Sequence, residues 1–184
     1  MKQIKIAVLY TVVSAVLLGI GYPLLVTALA QWIFPHQANG SLIVRKGRVI
    51  GSSLIGQSFT GPEYFHSRPS AAGAGYDASS SGGSNLAATN QALIARVEQQ
   101  VKDQQVGTSK VPVDLVTASG SGLDPDITPA AAYYQVPRVA AARHLSATAV
   151  RALVQAHITP RQFGLLGEPR VNVLELNLAL DGLH

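Results

Sequence analysis

The chain has 184 residues, 14 Lys and Arg against 10 Asp and Glu, no Cys, and a formal net charge of +4. Lys2 and Lys5 precede a long uncharged run; beyond them, 12 basic and 10 acidic residues leave only +2, with no block of like charge. That is a poor footprint for nucleic acid, and the lack of Cys excludes a disulfide framework and thiolate chemistry.

Ile6 to Phe34 contain no Asp, Glu, Lys or Arg, and a spanning helix needs about 20 apolar residues. A cleaved signal peptide is the rival reading, supported by Lys2, Lys5 and the small-x-small site Ala28-Leu29-Ala30. A signal core runs about 7–15 residues, shorter than this one. Trp32 and Phe34, with Tyr10 near the other end, stand where interfacial aromatics lie. The reading is therefore a retained anchor over residues 1–34, carrying one domain over residues 35–184. Ala7, Thr11, Ala15 and Gly19 recur every four residues and form a ridge of small side chains suited to helix–helix packing. Pro23 removes the hydrogen bond to Gly19 and predicts a kink. Lys2 and Lys5 abut the helix, whereas Arg45, Lys46 and Arg48 lie further from its other end. The positive-inside rule then puts the N-terminus in the cytoplasm and the domain outside it.

Further along, Ser41–Ile50 reads as a hairpin turning at Lys46-Gly47. Gly51–Tyr76 is irregular, and Asp77–Asn85 has linker composition. A helix capped by Thr89 or Asn90 places Leu93, Val97 and Val101 on one line and ends near Gln105. Val111–Thr117 resembles a strand, followed by the Gly/Ser loop Ala118–Pro125. Thr128 and Pro129 open a helix that Pro137 should interrupt. Ser146 caps another, with Val150, Leu153 and Val154 inward and His157 at its end. Phe163–Leu166 reads as a short strand. In Val171–Leu180, Leu174, Leu176, Leu178 and Leu180 alternate with Glu175 and Asn177, a period of two that predicts a half-buried strand. The fold class is thus α+β: a single N-terminal transmembrane helix followed by one extracytoplasmic mixed helix/sheet domain. Its sheet is expected to combine the 42–50 hairpin, 111–117 and 171–180, with helices on one face.

The missing motifs narrow the chemistry. The sequence has no Walker lysine, no HExxH and no GxSxG. It also lacks a DKTG aspartate and a TVGYG filter. The histidines His36, His66, His144, His157 and His184 are scattered. A one-helix protein without these parts reads as an accessory subunit.

The distinctive segments are GSSLIGQSF (Gly51–Phe59), YFHSRPSA (Tyr64–Ala71), YDASSSGGSNLAATN (Tyr76–Asn90), VDLVTASGSGLDPD (Val113–Asp126) with QVPRVAAAR (Gln135–Arg143), and the closing RVNVLELNLALD. In this order and spacing they resemble the KdpC family, the C subunit of the bacterial high-affinity potassium-transporting ATPase, over nearly the whole chain. The resemblance implies a complex with a channel-like A subunit, a P-type B subunit that hydrolyses ATP, and a small F subunit. In that complex the C subunit is needed for assembly and is described as a catalytic chaperone that raises the ATP affinity of the B subunit. It implies a single-pass protein of the bacterial inner membrane, bounded by lipid and partner subunits. It further implies that ATP and potassium are handled by the complex, with no cofactor or metal expected on the chain itself. A domain outside the cytoplasm cannot touch cytoplasmic ATP, so such coupling has to be indirect. The alternative is a secreted or membrane-anchored extracytoplasmic binding protein with no role in transport. Asp126 stands where the family usually has His in its GLDPHIS run, and Asn85–Asn90 replaces NLGPTN.

Individual residues carry weaker expectations. Ser84 and Asn85, in a Ser-Gly-Gly-Ser-Asn run, resemble a nucleotide-contacting signature but also a plain linker. Ser119 and Ser121 between glycines suit either an anion on backbone amides or a tight turn. Arg68 suits either a partner's carboxylate or a brace for its own loop. Asp124 and Asp126 suit either a cation-attracting pore mouth or a turn. Asn172 and Asn177 are expected to satisfy backbone groups at a sheet edge.

Overall fold

The uncharged N-terminal run is one exposed helix of 32 residues, Lys2–Ile33, long and apolar enough to cross a membrane. At 1.5 Å per residue it measures about 48 Å, against about 30 Å of hydrocarbon. This computed structural model describes residues 1–105 and 107–183; His184 lies outside the described residues. The chain divides into two units, Met1–Ser52 and Ser53–His184.

In the first unit, α1 (Lys2–Val16) and α2 (Tyr22–Ile33) are joined by a π-helical turn, Leu17–Gly21. The expected kink at Pro23 is taken up there: a wider turn relieves the clash between the proline ring and the preceding turn without ending the helix. Ala7, Thr11, Ala15 and Gly19 are all exposed. The short α3 (Pro35–Ala38) follows Phe34, whose φ of −132° leaves the helical region. Gln31 and Asn39 exchange amide hydrogen bonds of 3.3 and 3.2 Å, and Asn39 Nδ2 also donates to the Pro35 carbonyl at 2.7 Å. The hairpin then forms as expected from β1 (Leu42–Arg45) and antiparallel β2 (Arg48–Ser52). Lys46 and Gly47 have φ of 49° and 75°, both left-handed, as a type I′ turn demands. Ser52 Oγ donates to the Gly40 carbonyl at 2.7 Å and closes the base.

The second unit contains α4 (Gln91–Gln104), β3 (Asp126–Ile127), α5 (Pro129–Ala142), α6 (Ala147–Ala156), β4 (Ile158–Thr159), β5 (Arg170–Asn172) and α7 (Val173–Leu180). Asn90, Thr128 and Ser146 cap α4, α5 and α6, each accepting a backbone N–H, which fits the expected starts. The antiparallel sheet has the order β3-β5-β4, with Asp126 opposite Asn172 and Ile158 opposite Val171. Phe65, Val136, Val139, Val150, Val154, Val171, Leu176 and Leu180 form the buried core.

Several expectations are corrected. The hairpin forms its own two-stranded sheet. Val113–Leu115 is a 3₁₀ turn rather than part of a strand. Val173–Leu180 is a helix: Val173, Leu174, Leu176, Asn177 and Leu180 are the buried set, a spacing of 1, 3, 4 and 7 that follows a helical face. A short Leu-rich run satisfies both periods; Asn172 decides it by capping the helix, its Oδ1 accepting from Glu175 N–H at 3.1 Å. Helix α5 runs through Pro137. Burial of Ala131, Ala132, Val136, Val139 and Ala140 on both sides of it outweighs one missing hydrogen bond. Gln162 and Leu166 pair only as an isolated bridge that closes a turn, with Phe163 and Leu165 exposed at its tip.

Candidate functional site

Segments far apart in sequence meet around the loop Thr117–Asp126. The Gly56 N–H donates to the Leu123 carbonyl at 2.8 Å, and the Gly82 N–H to the Ser121 carbonyl at 2.8 Å. Ser70 Oγ donates to the Gly122 carbonyl at 2.6 Å and accepts from the N–H groups of Ala72 and Tyr76. The approach is close enough to require glycine. A Cβ on Gly122 would lie 2.5 Å from the Gly82 carbonyl oxygen and 2.7 Å from the Ala72 nitrogen, and its φ is +67°. A Cβ on Gly56 would lie 2.6 Å from the Asp124 carbonyl oxygen. The linker-like stretch 77–85 is thus tied into the domain through Gly82, and Asp77 Oδ1 accepts from both the N–H and the hydroxyl of Ser79.

Arg68 spans this loop. Its guanidinium meets Asp124 Oδ2 at 3.2 Å and the Thr117 and Ala118 carbonyls at 3.5 and 3.4 Å. Among the described residues the segment that carries Arg68 has no strand partner; buried side chains take that part. Asn177 Oδ1 accepts from Phe65 N–H at 2.8 Å while its Nδ2 donates to the Phe65 carbonyl at 2.9 Å. Gln135 does the same for His66, at 2.7 and 3.2 Å. Two amides on α5 and α7 therefore imitate a neighbouring strand, satisfying backbone groups that would otherwise be buried unpaired. Arg138 adds bonds to the Pro62 and Tyr64 carbonyls, and Arg143 to the Glu63 carbonyl and Asp181. Asn177 was expected at a sheet edge; it works instead from a helix. Asn172 caps α7 and donates to the Ser53 carbonyl. The signal for Gln135 and Asn177 was a lone amide inside an apolar helical run, since such residues are buried only when bonded.

Beside the loop lies a cleft of about 260 Å³ lined by Arg68, Asp114, Asp124, Asp126, Ile127, Thr128, Glu168, Pro169 and Arg170. Arg68, Asp124 and Asp126 are thus brought together. Ser119 and Ser121 do not line it; their hydroxyls lie 3.4 Å apart, Ser121 Oγ accepting from Leu123 N–H. Ser84 and Asn85 do not line the cleft. Asp114, Glu168 and Arg170 had not been singled out; their convergence depends on distant chain segments. Each carboxylate has a partner: Asp114 accepts from Thr128 N–H at 2.7 Å, Asp126 pairs with Arg170 at 2.9 Å, and Glu168 pairs with Arg161. Burial pushes the Asp126 carboxyl above the ordinary range; Arg170 opposes the shift, while Asp124 and Glu175 add to it. Burial and Arg138 hold His66 below its ordinary value. Among the described residues no group of three or more His, Asp or Glu could hold a metal ion. The cleft is lined by two arginines and four carboxylates, every carboxylate bonded within the chain.

The family model for the K+-transporting ATPase c chain, KdpC, matches residues 4–182. The chain belongs to the KdpC family. It is 72% identical over 184 residues to a potassium-transporting ATPase KdpC subunit of Acidobacterium capsulatum, covering the whole of both chains. It is 59% identical to that of Koribacter versatilis, over 98% of this chain and 95% of the relative. The KdpC subunit of Gemmatimonas aurantiaca is also 59% identical, over 100% of this chain and 94% of its own length. The segments that carried the KdpC resemblance are those that interlock: Gly56, Arg68, Ser70 and Gly82 all converge on Thr117–Asp126. Asp126 in the same loop forms its ion pair with Arg170.

Proposed function

We propose that the chain is the non-catalytic accessory subunit of an ATP-driven potassium import complex, needed for its assembly. It would be held in the bacterial inner membrane by Lys2–Ile33, with its N-terminus in the cytoplasm and its domain outside. The partners are the channel-like A subunit, the P-type B subunit and the small F subunit of that complex. The observation that carries this reading is what the distinctive segments do. They brace one loop cluster through bonds such as Arg68–Asp124 and Ser70–Gly122, which suits a docking surface built to hold its shape. Any effect on the ATP affinity of the B subunit then passes through the membrane helix and the partners, with ATP and potassium held elsewhere in the complex.

The test is genetic and biochemical. Cells lacking the chain should fail to grow at limiting potassium and recover when potassium is abundant, and the remaining subunits should no longer co-purify. Normal growth at limiting potassium with an intact complex would overturn the proposal. Orientation is checked with Ser80→Cys, an exposed position in a chain without Cys. A membrane-impermeant thiol reagent should label it in intact cells stripped of their outer membrane; labelling only after lysis would reverse the assignment.

A further inference from the structure

The first unit carries Lys2, Lys5, Arg45, Lys46 and Arg48 and no acidic residue at all; the first carboxylate in the chain is Glu63. Three of these cations crowd one hairpin tip. Arg45 stands directly opposite Arg48 in the ladder, an arrangement of like charges that destabilises a strand pair. Lys46 occupies the first turn position at φ 49°, where Asn, Asp or Gly is the easier choice. The hairpin therefore concentrates positive charge against its own conformational interest.

The register also divides the hairpin into faces. Leu42 and Val44 alternate with Ile43 and Arg45, and Val44 lies opposite Val49. One face thus presents Leu42, Val44 and Val49, which are 44%, 56% and 60% exposed, and the other presents the two arginines. An isolated two-stranded hairpin is marginal in water, and one showing three aliphatic side chains to solvent is more so. The hairpin is also not free to wander from the end of the membrane helix. The Gln31–Asn39 amide pair, the Asn39–Pro35 bond and the Ser52–Gly40 bond tie its base to α2 and α3. Strands this short reach about 15 Å, so the tip stays close to the boundary marked by Trp32 and Phe34.

We propose that the β1–β2 hairpin lies on an anionic lipid surface beside the anchor. Leu42, Val44 and Val49 enter the boundary of the acyl region, and Arg45, Lys46 and Arg48 reach lipid phosphates. An apolar face backed by a cationic one is the pattern of interfacial elements, and long basic side chains reach back to headgroup level while their stems stay apolar. The proposal rests on reading Lys2–Ile33 as a membrane span.

The test uses the full chain, and separately the assembled complex, in nanodiscs of phosphatidylcholine with or without phosphatidylglycerol. Val49→Cys and, as a control within the span, Leu25→Cys are labelled with an environment-sensitive fluorophore and probed with nitroxide-bearing lipids. Quenching at both positions is expected. Quenching at position 49 should be stronger with phosphatidylglycerol and fall when Arg45→Gln, Lys46→Asn and Arg48→Gln are combined. Each cation removed should lower the docked-to-free ratio about fivefold, and Asn suits the left-handed turn, so the hairpin keeps its fold. Quenching at position 25 alone overturns the hairpin proposal and leaves the span standing. Quenching at neither position overturns both. Quenching at position 49 that disappears on assembly assigns the face to a partner subunit and overturns the lipid reading.

Discussion

The two units solve the problem of apolar side chains in opposite ways. In Met1–Ser52 only Ser41 and Ser52 are buried, and every large apolar residue from Ile4 to Ile50 except the half-buried Ile43 is exposed. In Ser53–His184 the aliphatic residues of α5, α6 and α7 close on Phe65 and on one another, and even the buried amides Gln135 and Asn177 have bonds. The first unit leaves its apolar side chains exposed, whereas the second carries its own core. A substitution in the second should therefore register as lost folding stability, and one in the first as lost assembly or lipid contact.

The largest expected effect is at Gly122. Gly122→Ala places a Cβ on two backbone atoms at a left-handed φ and should destabilise the chain by about 3–5 kcal/mol, combining left-handed strain with overpacking. Thermal unfolding of the full chain in detergent measures it; an unchanged midpoint would mean the loop cluster yields easily. Asn177→Leu strips the N–H and carbonyl of Phe65 of their partners and should cost about 2–4 kcal/mol, with the midpoint lowered at every pH.

Smaller effects depend on pH. His66 titrates below its ordinary value because of burial and Arg138, so the unfolded chain binds more protons than the folded one once pH falls below the ordinary histidine value. The contribution is complete above about pH 6.5 and is lost as pH falls toward the lowered folded value. His66→Gln should flatten that acid-side loss, and equal slopes in both proteins would remove His66 as its source. Asp126 has the opposite sign. Its raised value means the folded chain binds the extra proton, so stability declines as pH rises from the ordinary carboxylate range through the raised one. Asp126→Asn should be slightly more stable than the parent at neutral pH, despite losing the ion pair with Arg170, and the gap should close in acid. A variant less stable than the parent at neutral pH would show that the Arg170 pair outweighs burial and repulsion.

The smallest stability change is expected at Gly19, where an added Cβ meets nothing within 4 Å. Gly19→Leu should leave the unfolding midpoint of the chain alone while reducing co-purification of partner subunits, because added bulk matters only where another helix packs. Wild-type yield of the complex would show that this ridge faces lipid.

Much of the architecture is legible in the sequence because it depends on neighbours. The long apolar helix follows from an uncharged run, the hairpin from Lys46-Gly47, and three helix starts from Asn90, Thr128 and Ser146, whose side chains bond N–H groups two or three residues on. In the closing segment only Val171 and Asn172 form the expected strand, and the helix Val173–Leu180 was not legible. Its leucines fit strand and helix alike, and the outcome turned on packing against α6 and on the Asn172 cap. The cleft and the braced loop lie further still from local reading. Arg68 and Asp124 are separated by 56 positions and Phe65 and Asn177 by 112, so no short window holds both members of either pair. The local chemistry of the chain determined where elements start and turn and where one helix is apolar enough to cross a membrane. Tertiary packing decided which polar groups meet, because a buried amide or carboxylate takes whichever distant partner the closed core brings within hydrogen-bond reach.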